Sequence, residues 1–407
     1  MARRRTARTV AVAAAAVALV IPVLVALPTT ALGVRIPSVL TIGVDHAPPS
    51  GHDFEYTDFF PRSGLTVHTG DIVHFQWAAS PDGFHNVAVL PSGTTPAADW
   101  AANPPVVPDA DDGPQALQFN PAIGAPTNPS CGHAAAMPCP FDNSTRINSG
   151  PGPTDGTTSF YAQMNLPSWN DTTINFVCEV HPGMAGSITV SASSPITAQT
   201  VADAAATAQA NVSTVGALLQ EGSVNSASST TDASGHKTFL ATAGTASPHV
   251  EIVEFLPHDL SLTAGDRVTW RTTTASDIHT VTFPTGTHEA DFQSPVCEGA
   301  AADTPPPCSD PSTFEQAVFP QPVGSSTISS PTQVSSSGII DTSPSPSPDN
   351  YTFTFSTPGT FKLFCHVHEN GMLGQVTVQA AAVSGGTLTP ASAPAAQPVS
   401  RPVSFTG

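Results

Sequence analysis

Apolar and polar residues alternate along much of this chain in short runs, a pattern typical of β-strands with one buried face. The alternation is present in Ile72-Val73-His74-Phe75-Gln76-Trp77 and again in Val268-Thr269-Trp270. A Gly-Asp pair, which favours a turn, comes shortly before each run. These features predict a chain built mainly from strands and turns.

The strand pattern is repeated within the chain. Residues 65–71, LTVHTGD, match residues 260–266, LSLTAGD. Each copy is followed by a β-rich run that opens with one histidine, and much later by a Cys-x-x-His segment and a final strand. Because a repeat of this kind indicates duplicated structural units, we predict two homologous β-domains over residues 38–192 and 237–380.

Each predicted domain contains a long segment rich in Pro, Gly, Ser and Asp, at residues 92–158 in the first and 285–350 in the second. This composition predicts large loop insertions in a β-sandwich. Both segments contain a Ser-Gly pair towards the end, Ser149-Gly150 and Ser337-Gly338. The insertion itself is therefore predicted to be duplicated.

The connector at residues 193–236 has a helical period. Apolar residues recur there at spacings of three and four, at Val201, Ala205, Ala208, Val212, Val215 and Leu219. We predict a helix that packs on a domain, spaces the two domains or mediates pairing. Residues 381–407 carry regularly spaced prolines and are predicted to form a disordered tail.

Residues 1–33 have the features of a signal peptide. Arg3–Arg5 and Arg8 form a basic start, Val10–Leu27 is an apolar run of 18 residues, and Ala31-Leu32-Gly33 offers small residues for cleavage. We therefore expect a secreted or extracytoplasmic protein. The alternative is an uncleaved anchor at the cell surface, because 18 residues are just long enough to span a membrane. No other run reaches that length, so the mature chain is expected to have no membrane span.

Composition limits the classes of partner. The chain has 407 residues and 40% hydrophobic content with 20 Phe, which is enough for two cores. Only 11% of the residues are charged and the net charge is −19. Such a surface repels phosphate backbones and anionic lipid, so binding to nucleic acid is disfavoured. The acidity either keeps an exported protein soluble or provides a docking surface for a cationic partner.

The six cysteines fall into two kinds. Cys131 and Cys139 lie close together in the first insertion, and Cys297 and Cys308 occupy the same place in the second. In an exported protein each couple is most simply a local disulfide. Cys178 and Cys365 remain, one in each domain, and two residues separate each of them from a following histidine.

The unpaired cysteines belong to a metal-binding pattern. Each domain supplies a thiolate, two imidazoles and a thioether, the donor set of a blue-copper site. The candidate ligands are His85, Cys178, His181 and Met184 in the first domain, and His279, Cys365, His368 and Met372 in the second. Zinc is the competing metal, but structural zinc sites use two to four cysteines and seldom a thioether.

The segment from Cys178 to Gly186 resembles the ligand loop of amicyanin, and Phe355 to Cys365 is similar to the strand that precedes that loop. Both domains therefore resemble cupredoxins of the plastocyanin, amicyanin and halocyanin kind. The resemblance implies an all-β fold of two tandem cupredoxin-like Greek-key β-sandwiches, with long loop insertions and a linker that includes a helix. It also implies one type 1 copper per domain, bound by the eight residues named above.

The second ligand loop departs from the pattern, since three residues rather than two separate His368 from Met372. The resemblance further implies that the imidazole of His181 or His368 is partly exposed, as the exit for the electron. We expect an exported carrier of single electrons that exchanges them with redox partner proteins.

Electron transfer has two alternatives, an enzyme and a copper-sequestering protein. Multicopper oxidases and copper nitrite reductases have a histidine directly before the blue-copper cysteine, where this chain has Val177 and Phe364, so we expect no enzymatic activity. A protein that sequesters copper without a dedicated redox partner is the other alternative. Nine further histidines have no ligand spacing and are expected on the surface: His46, His52, His68, His74, His133, His236, His249, His258 and His288.

Overall fold

The computed structural model describes residues 36–50, 54–78, 85–108, 117–152, 158–166, 171–191, 197–222, 227–273, 277–285, 318–319, 322–323, 326–342, 348–368 and 371–381. The predicted signal peptide, the tail beyond residue 381, His52, His288 and the Cys297–Cys308 pair lie outside these residues. The described residues from Pro37 onward belong to one compact unit. Within the described part of the chain, no helix is long and apolar enough to cross a membrane.

The described residues of the first half of the chain form fifteen short elements, most of which build an N-terminal sandwich and its insertion. They are β1 (Val39–Val44), β2 (Glu55–Tyr56), β3 (Phe59–Phe60), β4 (Leu65–Val67), β5 (Ile72–Trp77), β6 (Ala88–Val89), α1 (Pro96–Ala102), β7 (Val106–Pro108), β8 (Leu117–Phe119), α2 (Pro121–Gly124), β9 (Cys139–Phe141), β10 (Ile147–Asn148), β11 (Ser159–Met164), β12 (Thr172–Val177) and β13 (Ala185–Val190).

A helix and thirteen strands follow in the described residues, and all of these strands except Val318–Phe319, which pairs with β8, build a C-terminal sandwich. They are α3 (Ala198–Gly222), β14 (Ser228–Thr231), β15 (Lys237–Ser247), β16 (Val250–Leu256), β17 (Asp259–Thr263), β18 (Arg267–Arg271), β19 (His279–Phe283), β20 (Val318–Phe319), β21 (Pro322–Val323), β22 (Thr327–Ile328), β23 (Ser335–Ile340), β24 (Asn350–Phe355), β25 (Gly359–Phe364) and β26 (Leu373–Gln379).

The N-terminal sandwich consists of two five-stranded sheets, ordered β3-β1-β5-β11-β9 and β10-β6-β12-β13-β4. The alternating pattern of β5 turns Val73, Phe75 and Trp77 inward. Phe75 of the first sheet meets Phe176 of the second with ring centroids 5.2 Å apart. The interior between the sheets is therefore a continuous apolar core, as the alternation predicts.

The C-terminal sandwich repeats this plan. One sheet is ordered β2-β16-β15-β18-β24-β22, with β14 paired to β15, and the other is ordered β17-β26-β25-β19-β23-β21. Trp270 is buried among aromatic rings of the same core, with centroids 6.0 Å from both Phe283 and Phe353. The predicted all-β class and the two tandem sandwiches are confirmed.

The repeated Gly-Asp turn has the same structural role in both sandwiches. Asp71 accepts backbone N–H hydrogen bonds from Ser38 and His68, each at 2.8 Å. Asp266 accepts the equivalent bonds from Lys237 at 2.7 Å and Thr263 at 2.8 Å. In each case the carboxylate ties the first strand of the sandwich to the turn, which explains why the aspartate recurs in the sequence.

The predicted connector helix is confirmed as α3, and it packs on the strands. Val201 is buried in the N-terminal core, and Val212 contacts a smaller core where the two sandwiches meet. Val215 is 39% exposed, so it does not belong to the packed face. Below the helix, β2 pairs with β16 of the C-terminal sandwich and joins the two β units.

The first insertion is more structured than the predicted loop. It contains α1, α2 and four short strands, of which β9 and β10 extend the edges of the two sheets. The predicted Cys131–Cys139 disulfide is present, and it fixes the start of β9. Short helices form there because Thr95 and Asn120 cap them through their side chains and a proline occupies the first turn.

Candidate metal centre

The first predicted triad, His85, Cys178 and His181, comes together at one end of the N-terminal sandwich. Cys178 directly follows β12, His181 lies in the loop before β13, and His85 precedes β6. The Cys178 Sγ is 3.7 Å from His85 Nδ1 and 3.6 Å from His181 Nδ1. The two Nδ1 atoms are 2.9 Å apart. All three residues are buried, so their donor atoms converge in a space shielded from solvent.

The loop geometry brings Cys178 and His181 to the same side. The Cys178 N–H donates to the Met184 carbonyl at 2.9 Å, and the Met184 N–H donates to the His181 carbonyl at 3.0 Å. Gly183 has a φ of 115°, a left-handed conformation that closes the loop and that other residues adopt only under strain. The short spacing in the sequence thus becomes a tight turn at the end of the sandwich.

The second predicted triad has the same arrangement. Cys365 follows β25, and its Sγ is 3.4 Å from His368 Nδ1. One donor atom from each of His279, Cys365 and His368 lies within 4.8 Å of the others. His279 is the first residue of β19, and this position is equivalent to that of His85 just before β6. The described residues therefore form two Cys-His-His groups, one in each sandwich.

The second ligand loop has one extra residue but is closed by the same backbone hydrogen bond as the first. The Cys365 N–H donates to the Met372 carbonyl at 3.0 Å, as Cys178 does to Met184. The turn bond to His368 is made by Gly371, at 2.8 Å, rather than by the methionine. Met184 and Met372 are both fully buried, in the same cores as their cysteines. Their role as thioether ligands stays a prediction.

The triads favour the thiolate form that a metal ligand requires. Burial alone would raise the pKa of Cys178, but hydrogen bonds and charge from His181 and His85 lower that pKa to about 5. In the second group burial is outweighed by the charge of His368 and by its hydrogen bond and that of His279, so the pKa of Cys365 is also lowered. The same contacts favour a protonated imidazole. Burial alone would lower the pKa of His279, but contacts with Cys365 and Glu251 raise it to about 10.

The duplicated Ser-Gly pair anchors the strand that carries the first histidine of each triad. The Ser149 hydroxyl accepts from the Val87 N–H at 2.9 Å and donates to the Gly150 carbonyl at 2.6 Å. The Ser337 hydroxyl accepts from the Val281 N–H at 2.8 Å and donates to the Gly338 carbonyl at 2.7 Å. The sequence shows the duplication, and the structure assigns it this anchoring role.

A second link joins the two ligand-bearing segments of each site. The side chain of Asn86, next to His85, accepts from the Glu179 N–H at 2.7 Å. Thr280, next to His279, uses its hydroxyl to accept from the His366 N–H at 2.7 Å, and its own N–H donates to Cys365 Sγ at 3.3 Å. The linking role of Asn86 and Thr280 was not predicted from the sequence, although each directly follows the first histidine of its repeat.

Buried carboxylates face the far nitrogen, Nε2, of all four imidazoles. His85 Nε2 is 3.3 Å from Glu55 and 3.6 Å from Asp45. His279 Nε2 is 3.1 Å from Glu251. These acids were missed because they are scattered along the chain and show no common spacing. A carboxylate on the far nitrogen holds a histidine ligand in the tautomer that leaves Nδ1 free to bind a metal.

Asp277 serves both sites. Its Oδ2 is 2.7 Å from His368 Nε2, and its Oδ1 is 3.9 Å from His181 Nε2. Burial would raise the pKa of Asp277, but the charge and hydrogen bond of His368 outweigh it and lower the pKa. Burial raises the pKa of Glu55, which lies beside it. Asp277 and Glu55 are therefore unequal acids, and Asp277 is the stronger of the two.

The expected solvent exposure of the loop histidines is wrong for His181. That residue is only 3% exposed, and the His368 side chain keeps 10%. Both imidazoles are covered because the ligand loops face each other across the junction of the two sandwiches, with Asp277 between them. A single cupredoxin-like domain has no such second loop, and the resemblance could not predict it.

The other described histidines are not metal ligands in any close group of the described residues. His133 and His258 are exposed, as predicted. Five others lie partly exposed at the surface, where they pack against neighbouring strands and turns: His46, His68, His74, His236 and His249. His74, for example, stacks on Tyr161 with ring centroids 4.2 Å apart.

No protein-family model and no curated protein matches this chain. Solved structures of cupredoxins are similar to it in part. A Cu(I) amicyanin variant is 16% identical, with 35% of this chain and 82% of that chain covered and a TM-score of 0.18. A reduced amicyanin variant is 18% identical, with coverage of 38% and 96% and a TM-score of 0.18. A variant fern plastocyanin is 16% identical, with coverage of 34% and 99% and a TM-score of 0.18.

Proposed function

We propose that this protein is an exported type 1 copper protein that carries single electrons, with one copper at each triad. The observation that carries the proposal is the same buried Cys-His-His group formed twice, with sulfur 3.4–3.7 Å from imidazole Nδ1 atoms. A coincidental cluster would have no reason to recur at the same place in both halves of a repeat.

The donor set fits copper. One soft thiolate and two imidazoles, with a buried methionine on the same loop, form the trigonal set with a weak axial ligand that blue-copper sites use. The holding residues would be His85, Cys178, His181 and Met184 in the first site, and His279, Cys365, His368 and Met372 in the second. Copper bound there would supply one-electron chemistry by alternating between Cu(I) and Cu(II).

The chain's own residues keep the donor atoms in place and exclude water. The Cys-to-Met backbone bonds close both ligand loops, and the serine anchors hold the strands of His85 and His279. The Thr280 N–H stabilises negative charge on Cys365 sulfur. A site that is fixed in advance needs little rearrangement when its charge changes by one, which suits electron transfer.

Two observations favour a carrier over an enzyme. The positions directly before the cysteines, Val177 and Phe364, are buried apolar residues that cannot bind a further metal. Within the described residues, the close groups of possible ligands all lie at the two triads and the acids between them. Redox partner proteins are thus proposed as the source and destination of the electrons, outside the cytoplasm.

The test measures reversible reduction of copper-loaded protein by voltammetry, followed by electron exchange with a small redox protein. We expect wild-type protein to cycle without loss of metal, and Cys178→Ser and Cys365→Ser each to remove one of two thiolate-to-copper absorptions. His258→Gln, which alters an exposed histidine, is the matched control and should change neither. Tight copper binding without reversible reduction or exchange would favour sequestration and refute the carrier.

A further inference from the structure

The two triads are not separate sites on separate domains. They face each other across the junction between the sandwiches, where β2 of the N-terminal half pairs with β16 of the C-terminal half. In this pairing Glu55 lies directly opposite Glu251. Glu55 contacts His85 of the first triad, and Glu251 contacts His279 of the second. The strand pairing therefore brings one acid of each site to the same junction.

Asp277 also lies at this junction. One carboxylate oxygen faces His181 of the first triad at 3.9 Å, and the other faces His368 of the second at 2.7 Å. Asp277 is also within 4.8 Å, through its carboxylate, of donor atoms of Glu55 and Glu251. Asp277 is 5% exposed and both glutamates are buried, so solvent screens these charges weakly.

We propose that Asp277 couples the two metal sites into one redox unit, so that reduction of one site makes reduction of the other less favourable. This inference rests on the proposed function. The carboxylate lies 2.7 Å from His368 Nε2 and 3.9 Å from His181 Nε2, so the two imidazoles compete for its negative charge. A histidine that held an oxidised metal would be the stronger donor. It would attract the Asp277 carboxylate more strongly and leave less of its negative charge to stabilise the other histidine.

Direct electrostatic repulsion acts in the same direction. A positive charge held by one triad raises the energy of a positive charge held by the other, and burial strengthens that effect. The loop histidines of a single-site carrier would open to solvent and to a partner. Here the Nε2 atoms of His181 and His368 both face Asp277, which connects the two sites through polar groups.

The shared contact can be tested without metal, by NMR of the apoprotein labelled with ¹⁵N-histidine. Asp277→Asn keeps the shape of the side chain but leaves one acceptor oxygen for two imidazoles. We expect the ring signals of both His181 and His368 to shift. Glu251→Gln is the matched control and should shift His279 with little effect on His181. Movement of the His368 signals alone in Asp277→Asn would overturn the shared contact.

The coupling is tested with copper, by comparing the midpoint potential of each site when the other is loaded and when it is emptied by Cys178→Ser or Cys365→Ser. In wild-type protein we expect reduction of one site to lower the equilibrium constant for reduction of the other at least about threefold. In Asp277→Asn the interaction should fall by half or more. Glu251→Gln should move the second potential but keep the interaction.

The two proposals fail in different ways. If wild-type protein shows both thiolate-to-copper absorptions, but each potential is the same whether the other site is loaded or empty, the coupling is refuted and the carrier stands. If copper gives no such absorption, the proposed function is refuted, while the NMR result still decides whether Asp277 is shared.

Discussion

Gly244 is the position where one added methyl group should damage one site and spare the other. Gly244 lies at an irregularity within β15, between Ala243 and Thr245, and has a φ of 69°. A Cβ built there would lie 2.0 Å from His279 Nε2. The equivalent residue of the N-terminal sandwich is Asp45, which has a φ of 61° and directs its carboxylate to His85. The backbone turn is thus shared, but only the second site needs glycine.

The cost of Gly244→Ala has two parts. A left-handed backbone conformation costs a residue with a Cβ roughly 1–2 kcal/mol. The clash adds an overpacking penalty of roughly 1–3 kcal/mol, because the His279 ring is fully buried and cannot swing into solvent. We expect the free energy of unfolding to fall by about 2–5 kcal/mol in total, and His279 to be displaced from Cys365.

Gly235→Ala is the matched control. Gly235 has a φ of 88° in the same sandwich, and a Cβ there has nothing within 4 Å. Urea denaturation should give the backbone cost alone for Gly235→Ala and a larger loss for Gly244→Ala. Copper titration should show the second thiolate-to-copper absorption weakened only in Gly244→Ala. Equal stability losses, with both absorptions intact in both variants, would refute the steric reasoning.

Three further outcomes are expected. Met184→Gln and Met372→Gln should each lower the reduction potential of their own site and leave the other within the range set by the coupling, as voltammetry can measure; an unchanged potential would exclude that methionine as axial ligand. Removing the disulfide with Cys139→Ser should lower the free energy of unfolding by about 2–3 kcal/mol in the loop-closure model. Calorimetry can check this value, and Cys131→Ser should give the same loss. Burial raises the pKa of Asp58 to about 7, so the folded state retains a proton that the unfolded chain releases; the resulting stability is fully present below about pH 4 and is lost as pH rises towards 7. Asp58→Asn should flatten this part of the pH profile, and an unchanged slope would refute the assignment.

Most of the fold could be predicted from the sequence because each half carries strong local signals. The alternation in β5 and β18, the Gly-Asp turns and the helical spacing of α3 all correspond to elements of the structure. The secondary structure of the first insertion was not predicted. Its helices are short and depend on caps such as Thr95, and its strands β9 and β10 form only by adding to existing sheet edges.

The residues that converge at each site could also be predicted, because the Cys-x-x-His spacing places two donors on one loop and the repeat identifies the distant histidine. The junction between the sites could not be predicted. Glu55, Glu251 and Asp277 come from different strands and loops, and they meet only because β2 pairs with β16. No spacing along the chain encodes that contact, so the sequence suggested two independent sites with exposed loop histidines.

The most direct test of the account is to count copper per chain and record the visible spectrum of the purified protein after it is loaded with Cu(II). Two coppers per chain are expected, with an intense thiolate-to-copper absorption whose intensity falls by about half in either Cys178→Ser or Cys365→Ser. If the wild-type chain takes up no copper, or takes up copper without such an absorption, the assignment of both triads is contradicted.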